Sequence, residues 1–331
     1  MDYYSEAIKR DPHDIRTNTA AGNIALKNGD YPTARQHFSK AIQRLTKDFT
    51  RPSDCEALYL QGLTLKAMGL LDEATDTLFR ATWDYAFHSA AYLELARIAS
   101  IRGDFNTAVE RVDESLSTNS RNNSAIALRI SLLRKLGRTR EAMEMISRPA
   151  SEDPLDFRIA NELYLLSRES GDDQNAARAL ESVSVKMRDH VQNYLELAVA
   201  YLNDGMADDA EDVLKRFTGR NPLVSYYLGY ISHRKGDRSE AARLCRAGSA
   251  LPVDYVFPFR LETIDVLKTV SEYNPTDSRP WYYLGNLLYD KQPAKAIEAW
   301  ENSVRLDPSL AIAHRNLGWG YYRHLGDGTK A

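Results

Sequence analysis

Cysteine is nearly missing, with two residues in 331. Cys55 and Cys245 lie far apart, so no disulfide framework can be built, which suits a reducing compartment and points to the cytoplasm. There is no apolar run near ~18 residues, which excludes a helical membrane span. The opening MDYYSEAIKRDP is charged and has no apolar segment, so it is not a signal peptide. Neither sign of charge dominates: Lys+Arg 43 against Asp+Glu 46 leaves −3. That is not the basic balance of a nucleic-acid binder. Motifs that carry chemistry are absent too: no Gly-rich phosphate loop, no His-Glu-x-x-His and no Cys-x-x-Cys. The seven histidines are scattered without metal-ligand spacing. No catalytic residue, metal or cofactor is expected.

What is present is periodicity. Glycines stand at Gly69, Gly103, Gly137, Gly171 and Gly205, each 34 residues after the last. Five residues beyond each is an alanine: Ala74, Ala108, Ala142, Ala176 and Ala210. A period of ~34 residues with this pattern signals a stacked helix–turn–helix unit. The glycine ends a first helix, A, in the left-handed conformation that a Cβ disfavours. The alanine sits early in a second helix, B, where a small side chain allows close crossing. The expected fold class is all-α: a right-handed α-α superhelix of about nine repeats, partial at both ends.

Taken in order, the chain opens with the tail of a helix B that has Tyr4 and Ala7 facing inward. A unit with Ala34, Phe38 and Ala41 follows. We divide one solenoid spanning 1–331 into N-terminal repeats (1–46), regular 34-residue repeats (54–217) and C-terminal repeats (218–331). After Gly205 the step to Gly236 contracts to 31 residues. The stretch 248–259 (GSALPVDYVFPF) breaks the pattern with Pro252 and Pro258, and its composition predicts a packed segment. A single helix over 260–272 should follow, its partner replaced by that segment. Cys245 occupies the column of Phe38 and Leu78, so it reads as an inert buried thiol.

Trp281, Leu284, Gly285 and Leu288, then Ala296, Trp300 and Pro308, match the repeat signature best. On these residues the chain resembles the tetratricopeptide repeat family along essentially its whole length. The wording of AFHSAAYLELARIA, YVFPFRLE and AHRNLGWGYY also resembles the repeat region of large bacterial proteins that carry an N-terminal domain of unknown function. The last stretch holds Leu317, Tyr321 and Gly326-Asp327 and stops at Ala331, where a helix B should begin. Both ends therefore read as cuts, and the exposed apolar helix faces, Leu317 and Tyr321 among them, predict end-to-end self-association of the fragment.

The resemblance implies binding on the A-helix face. In the middle units that column reads Lys66, Glu94, Arg97, Arg134, Arg158, Glu162 and Arg168: a groove for a mixed-charge peptide, or a set of side chains paired with each other. In the C-terminal units it turns aromatic, with Tyr226, Tyr227, Tyr230 and Arg234, then Arg279, Tyr282, Asn286 and Tyr289, then Arg315, Trp319 and Tyr322. Aromatic residues with a polar tip favour interfaces, and these are the candidate partner-binding residues. The family's clamp for a peptide carboxylate would use Asn286 and Asn316, but Tyr282 stands where its lysine should be and a third unit is missing, so the clamp is not expected. The reading is a non-catalytic scaffold for a peptide or protein, or for its own missing N-terminal domain. The alternative is the accessory half of a carbohydrate-active enzyme whose active site lies on that absent domain, with carbohydrate near the tyrosines.

Overall fold

The computed structural model describes every residue except Met1, Phe49, Asp327, Lys330 and Ala331, and only the backbone of Asp2, Ser5 and Leu325. The expected features at Asp327 and Ala331 lie outside the described residues. Those described form helices and connecting turns, with no strand among them. Helix α1 (Asp2–Arg10) leads into pairs: α2 (Ile15–Lys27) with α3 (Tyr31–Leu45), α4 (Glu56–Ala67) with α5 (Leu71–Ala81), and α6 (Tyr85–Ile101) with α7 (Phe105–Thr118). Then come α8 (Asn123–Lys135) with α9 (Thr139–Glu152), and α10 (Phe157–Glu169) with α11 (Asp173–Met187). Next are α12 (Val191–Asn203), α13 (Ala207–Lys215), and the pair α14 (Pro222–Arg234) with α15 (Arg238–Ser249). A lone α16 (Thr263–Tyr273) precedes α17 (Arg279–Leu288) with α18 (Pro293–Leu306), and α19 (Ala311–Gly320) runs on into a π-helical turn, Tyr321–Leu325. This is an all-α solenoid of helix pairs.

The glycine ladder does what its chemistry allows. Gly69, Gly103, Gly137, Gly171 and Gly205 all have φ between +71° and +78°. The residue after each glycine donates its N–H five residues back, as Leu70 does to the Leu65 carbonyl (2.9 Å) and Arg138 to that of Leu133 (2.9 Å). This closes the orphan carbonyls at the helix end. Helix starts are capped by carboxylates and amides: Asp104 accepts from the Thr107 N–H (3.1 Å), Asp156 from the Ile159 N–H (3.1 Å) and Asp172 from the Asn175 N–H (3.1 Å). Each cap is worth about 1 kcal/mol.

A second glycine column, inside the A helices, sets how closely each pair packs. A Cβ on Gly22 would lie 2.6 Å from the Phe38 ring, one on Gly62 2.5 Å from Leu78, and one on Gly285 2.3 Å from Trp300. The large side chain of helix B thus sits on bare backbone of helix A, while Ala34, Ala74 and Ala296 are fully buried beside it. Cys245 fills the same place against Gly229, and burial pushes its thiol up to about 11.

The chain forms two compact units. The first holds residues 1–190 and 200–206; its core includes Leu58, Leu78, Leu95 and Ile98, and further along Ile126, Ile130, Ile146 and Leu166. The second holds residues 191–199 and 207–331, with Tyr226, Tyr227, Val266, Leu267, Tyr283 and Trp300 in its core.

Four expectations need correction. Tyr4 is exposed rather than facing inward. The single helix begins at Thr263, three residues later than expected, and ends at Tyr273. Gly248 and Ser249 complete α15, so the irregular segment starts at Leu251, and only part of it is packed: Val256 and Pro258 are buried, whereas Tyr255 (89% exposed), Phe257 (70%) and Phe259 (46%) face solvent. Leu317, expected on an open helix face, is buried.

Candidate functional site

In the first unit the charged column is filled from within. Lys66 and Arg97 both pair with Glu94, Arg97 at 2.5 Å. Arg97 Nε also reaches Asp204 Oδ1 (3.0 Å), and Arg158 Nη2 takes Asp204 Oδ2 (2.9 Å). The Arg158 guanidinium lies 3.9 Å over the Tyr201 ring. The Tyr201 hydroxyl and Ser131 both donate to Glu162 Oε1 (2.7 Å each), and Arg134 Nε donates to Glu162 Oε2 (2.9 Å). Glu94, Arg134, Glu162 and Asp204 are all buried. Burial by itself would raise the Glu94 carboxyl, but Lys66 and Arg97 bring it down to about 2.

The network closes because a distant turn docks on α6. Ser100 Oγ donates to the Asp204 carbonyl (2.6 Å), and a Cβ on Gly205 would lie 2.6 Å from Ile101 Cα. Of the five ladder glycines, Gly205 alone meets such a neighbour; the other four have nothing within 4 Å. Of the two readings of this column, self-pairing is the one realised. These side chains have spent their charge on each other, and Arg168 donates to the Tyr164 hydroxyl (3.0 Å).

In the second unit the aromatic column divides. Tyr226, Tyr227 and Tyr282 are buried, which corrects their expected place on a contact surface. Tyr227 OH is 2.8 Å from Thr263 Oγ1, and burial raises the phenols of Tyr226 and Tyr227 well above the ordinary tyrosine range. The rings of Tyr226 and Tyr282 pack beside Tyr283, and for Tyr227 the physical reason is the lone α16. Where a neighbouring A helix would leave the face open, α16 packs directly on α14, and Thr263 at its start meets Tyr227. Arg279 is also structural: Nη1 donates to the Ser249 carbonyl at the end of α15 and lies 3.6 Å from Asp277. Tyr230 is half-buried and accepts from Arg234 (3.2 Å).

The remaining residues come together. Asn286, Tyr289, Trp300, Arg315, Asn316 and Trp319 line a pocket of about 420 Å³, within the usual range for ligand sites. Its walls are aromatic: Trp300 and Tyr289 have centroids 5.1 Å apart. Trp319 is 54% exposed and lies beside exposed Tyr322, with centroids 6.1 Å apart. Its floor is a directed chain of hydrogen bonds. Trp300 Nε1 (3.1 Å) and Asn316 Nδ2 (2.9 Å) both donate to Asn286 Oδ1, and the Arg315 guanidinium donates to Asn316 Oδ1 (3.0 Å). Both lone pairs of the Asn286 oxygen are therefore used, and its amide N–H groups have no partner among the described residues. The Tyr289 hydroxyl is buried and also unpartnered among them. The pocket thus offers donors and positive charge, framed by ring faces.

Residues 19–86 and 195–252 match the family model for the tetratricopeptide repeat. Those two stretches are similar to tetratricopeptide repeats. A tetratricopeptide repeat protein from Parabacteroides merdae has a similar fold, with a TM-score of 0.50 at 16% identity over 82% of this chain and 99% of its own. The C-terminal part of a TPR repeat-containing protein from Cytophaga hutchinsonii is 16% identical over 90% of this chain and 99% of its own, with a TM-score of 0.45. YrrB, described as a TPR protein with an unusual peptide-binding site, is 15% identical over 57% of this chain and 95% of its own, with a TM-score of 0.46. The likeness to the first of these concerns the fold.

Of the candidates read from the repeat columns, Asn286, Tyr289, Arg315 and Trp319 share the pocket and Tyr322 borders it. Trp300, read only as part of the repeat signature, is 3% exposed, yet one edge of it reaches the pocket. Its indole N–H was the available signal, since a buried indole needs an acceptor. Among the described residues no helix is long and apolar enough to cross a membrane.

Proposed function

We propose that this chain is a non-catalytic interaction scaffold that takes a peptide or protein segment into the pocket between α17 and α19. The observation that carries this reading is the pocket itself: aromatic walls, an Arg315 guanidinium without a carboxylate partner among the described residues, the Asn286 amide N–H groups, and a buried Tyr289 hydroxyl left unpaired. Buried polar groups are nearly always satisfied, so the Tyr289 hydroxyl is a place where a ligand's acceptor gains most. The pocket is preformed by packed helices, which limits the ordering cost of binding. The charged column of the first unit is taken up by its own ion pairs and offers a peptide little.

A random-peptide display selection against the whole chain tests this. Selected peptides should lose at least about tenfold in affinity on Trp319→Ala or Arg315→Ala, both exposed positions, with the helical circular dichroism unchanged. Peptides that bind both variants as well as the parent would refute the site. Oligosaccharides bound at this pocket in preference to any peptide would favour the alternative, an accessory role beside a carbohydrate-active domain.

A further inference from the structure

The segment 251–260 is an unusual piece of surface. It has no helical structure, and its side chains alternate: Val256 and Pro258 are buried, while Phe257 and Phe259 point out. This period of two is that of extended backbone. Tyr255 before them holds φ at +60°, a conformation that aromatic residues rarely adopt. Residues 252–259 donate no backbone hydrogen bond to another described backbone group. Asp254, at the head of the row, is exposed and has no ion pair among the described residues. The chain therefore holds out one carboxylate and three aromatic rings on a fixed, locally strained support. Strain of this kind persists where surrounding structure over-determines it and clusters at functional positions.

The same unit contains the pocket, whose features are the converse of these: ring faces for walls, Arg315 and the Asn286 amide as donors, and no carboxylate among its lining residues. None of the lining residues comes from the segment, so within one chain neither surface fills the other. We propose that the aromatic segment of one copy, Asp254 to Phe259, docks in the Asn286–Trp319 pocket of a second copy. Asp254 pairs with Arg315, and Phe257 enters between the rings. This rests on the pocket reading above and names its occupant. Because donor and acceptor surfaces differ, the contact is head-to-tail, and each added copy leaves one segment and one pocket open. The rings can bury roughly 300–500 Å², so each contact is weak and association grows with concentration.

Sedimentation velocity on the whole chain, up to millimolar concentration, reads the outcome. The parent should form a ladder of oligomers, weakened by salt as a charge pair requires. Phe257→Ser and Trp319→Ala, both at exposed positions, should each lose association at least tenfold while remaining helical. Mixed one to one, they should form a dimer and nothing larger, since only one intact segment and one intact pocket remain. A synthetic peptide LPVDYVFPFR should bind the Phe257→Ser protein and not Trp319→Ala. A parent that stays monomeric and ignores this peptide, while displayed peptides still bind in a Trp319-dependent way, overturns this inference and leaves the pocket reading intact. No Trp319-dependent binding of any kind overturns both.

Discussion

Gly205→Ala against Gly69→Ala separates the two things a ladder glycine can do. Both positions have nearly the same left-handed φ, +77° and +76°, so both variants pay the same conformational cost, about 1–2 kcal/mol. At Gly69 the new methyl enters open space. At Gly205 it would lie 2.6 Å from Ile101 Cα and 2.8 Å from Ile101 N. These are helix backbone atoms that cannot turn aside, so the turn must lift off α6. Lifting it breaks the Ser100 hydroxyl bond to the Asp204 carbonyl, about 1 kcal/mol. It also draws the Asp204 carboxylate from Arg97 and Arg158, and separating a buried pair costs about 3–5 kcal/mol. Urea unfolding followed by circular dichroism should show Gly205→Ala less stable than Gly69→Ala by at least ~3 kcal/mol. Amide exchange in α6 should accelerate in the former only. Equal losses for the two variants would show that the turn is not held against α6, and the account of the filled column would fall with it.

Glu94 predicts an acid-labile first unit. Its folded value, about 2, lies below the ordinary 4.5, so its contribution is fully present above pH ~4.5 and is lost as pH falls towards 2, at most about 3 kcal/mol in all. Glu94→Gln should flatten this part of the stability–pH curve, and an unchanged slope would refute the assignment. Tyr255→Asn, which suits a positive φ better, should raise stability by about 1 kcal/mol in thermal or urea unfolding; a loss instead would mean that the ring is held in place by contacts. Tyr282→Ala should cost about 3–5 kcal/mol as a core deletion, whereas exposed Trp319→Ala should cost under about 1 kcal/mol. Similar costs from the two would contradict the division of the aromatic column.

The division of that column shows where sequence reasoning stopped. Tyr226, Tyr282 and Tyr289 are alike as letters and were read into one column, the first two each three residues before a column glycine, Gly229 and Gly285, and the third four residues after Gly285. The first two are buried beside Tyr283 and the third lines a pocket, while the proline-bounded segment stands where a helix A would be and α16 closes on α14 over Tyr227. No local pattern encodes that closure. The charged column failed differently: its residues were identified correctly, but their partner Asp204 stands 107 residues from Arg97 and carries no signal of its own. The segment 251–260 was legible as a break in the pattern, not as a surface.

The sequence by itself determined the repeat: its period, the left-handed glycine that ends each A helix, the alanine that lets helix B approach, and the pairs of bare glycine and large side chain such as Gly285 with Trp300. These are short-range demands of backbone geometry and packing, repeated at a fixed step, and a sequence states them openly. Only the tertiary structure decided which inner surface is closed and which is open. That choice depends on contacts between residues three repeats apart and on a helix that is not there, and neither leaves a periodic mark.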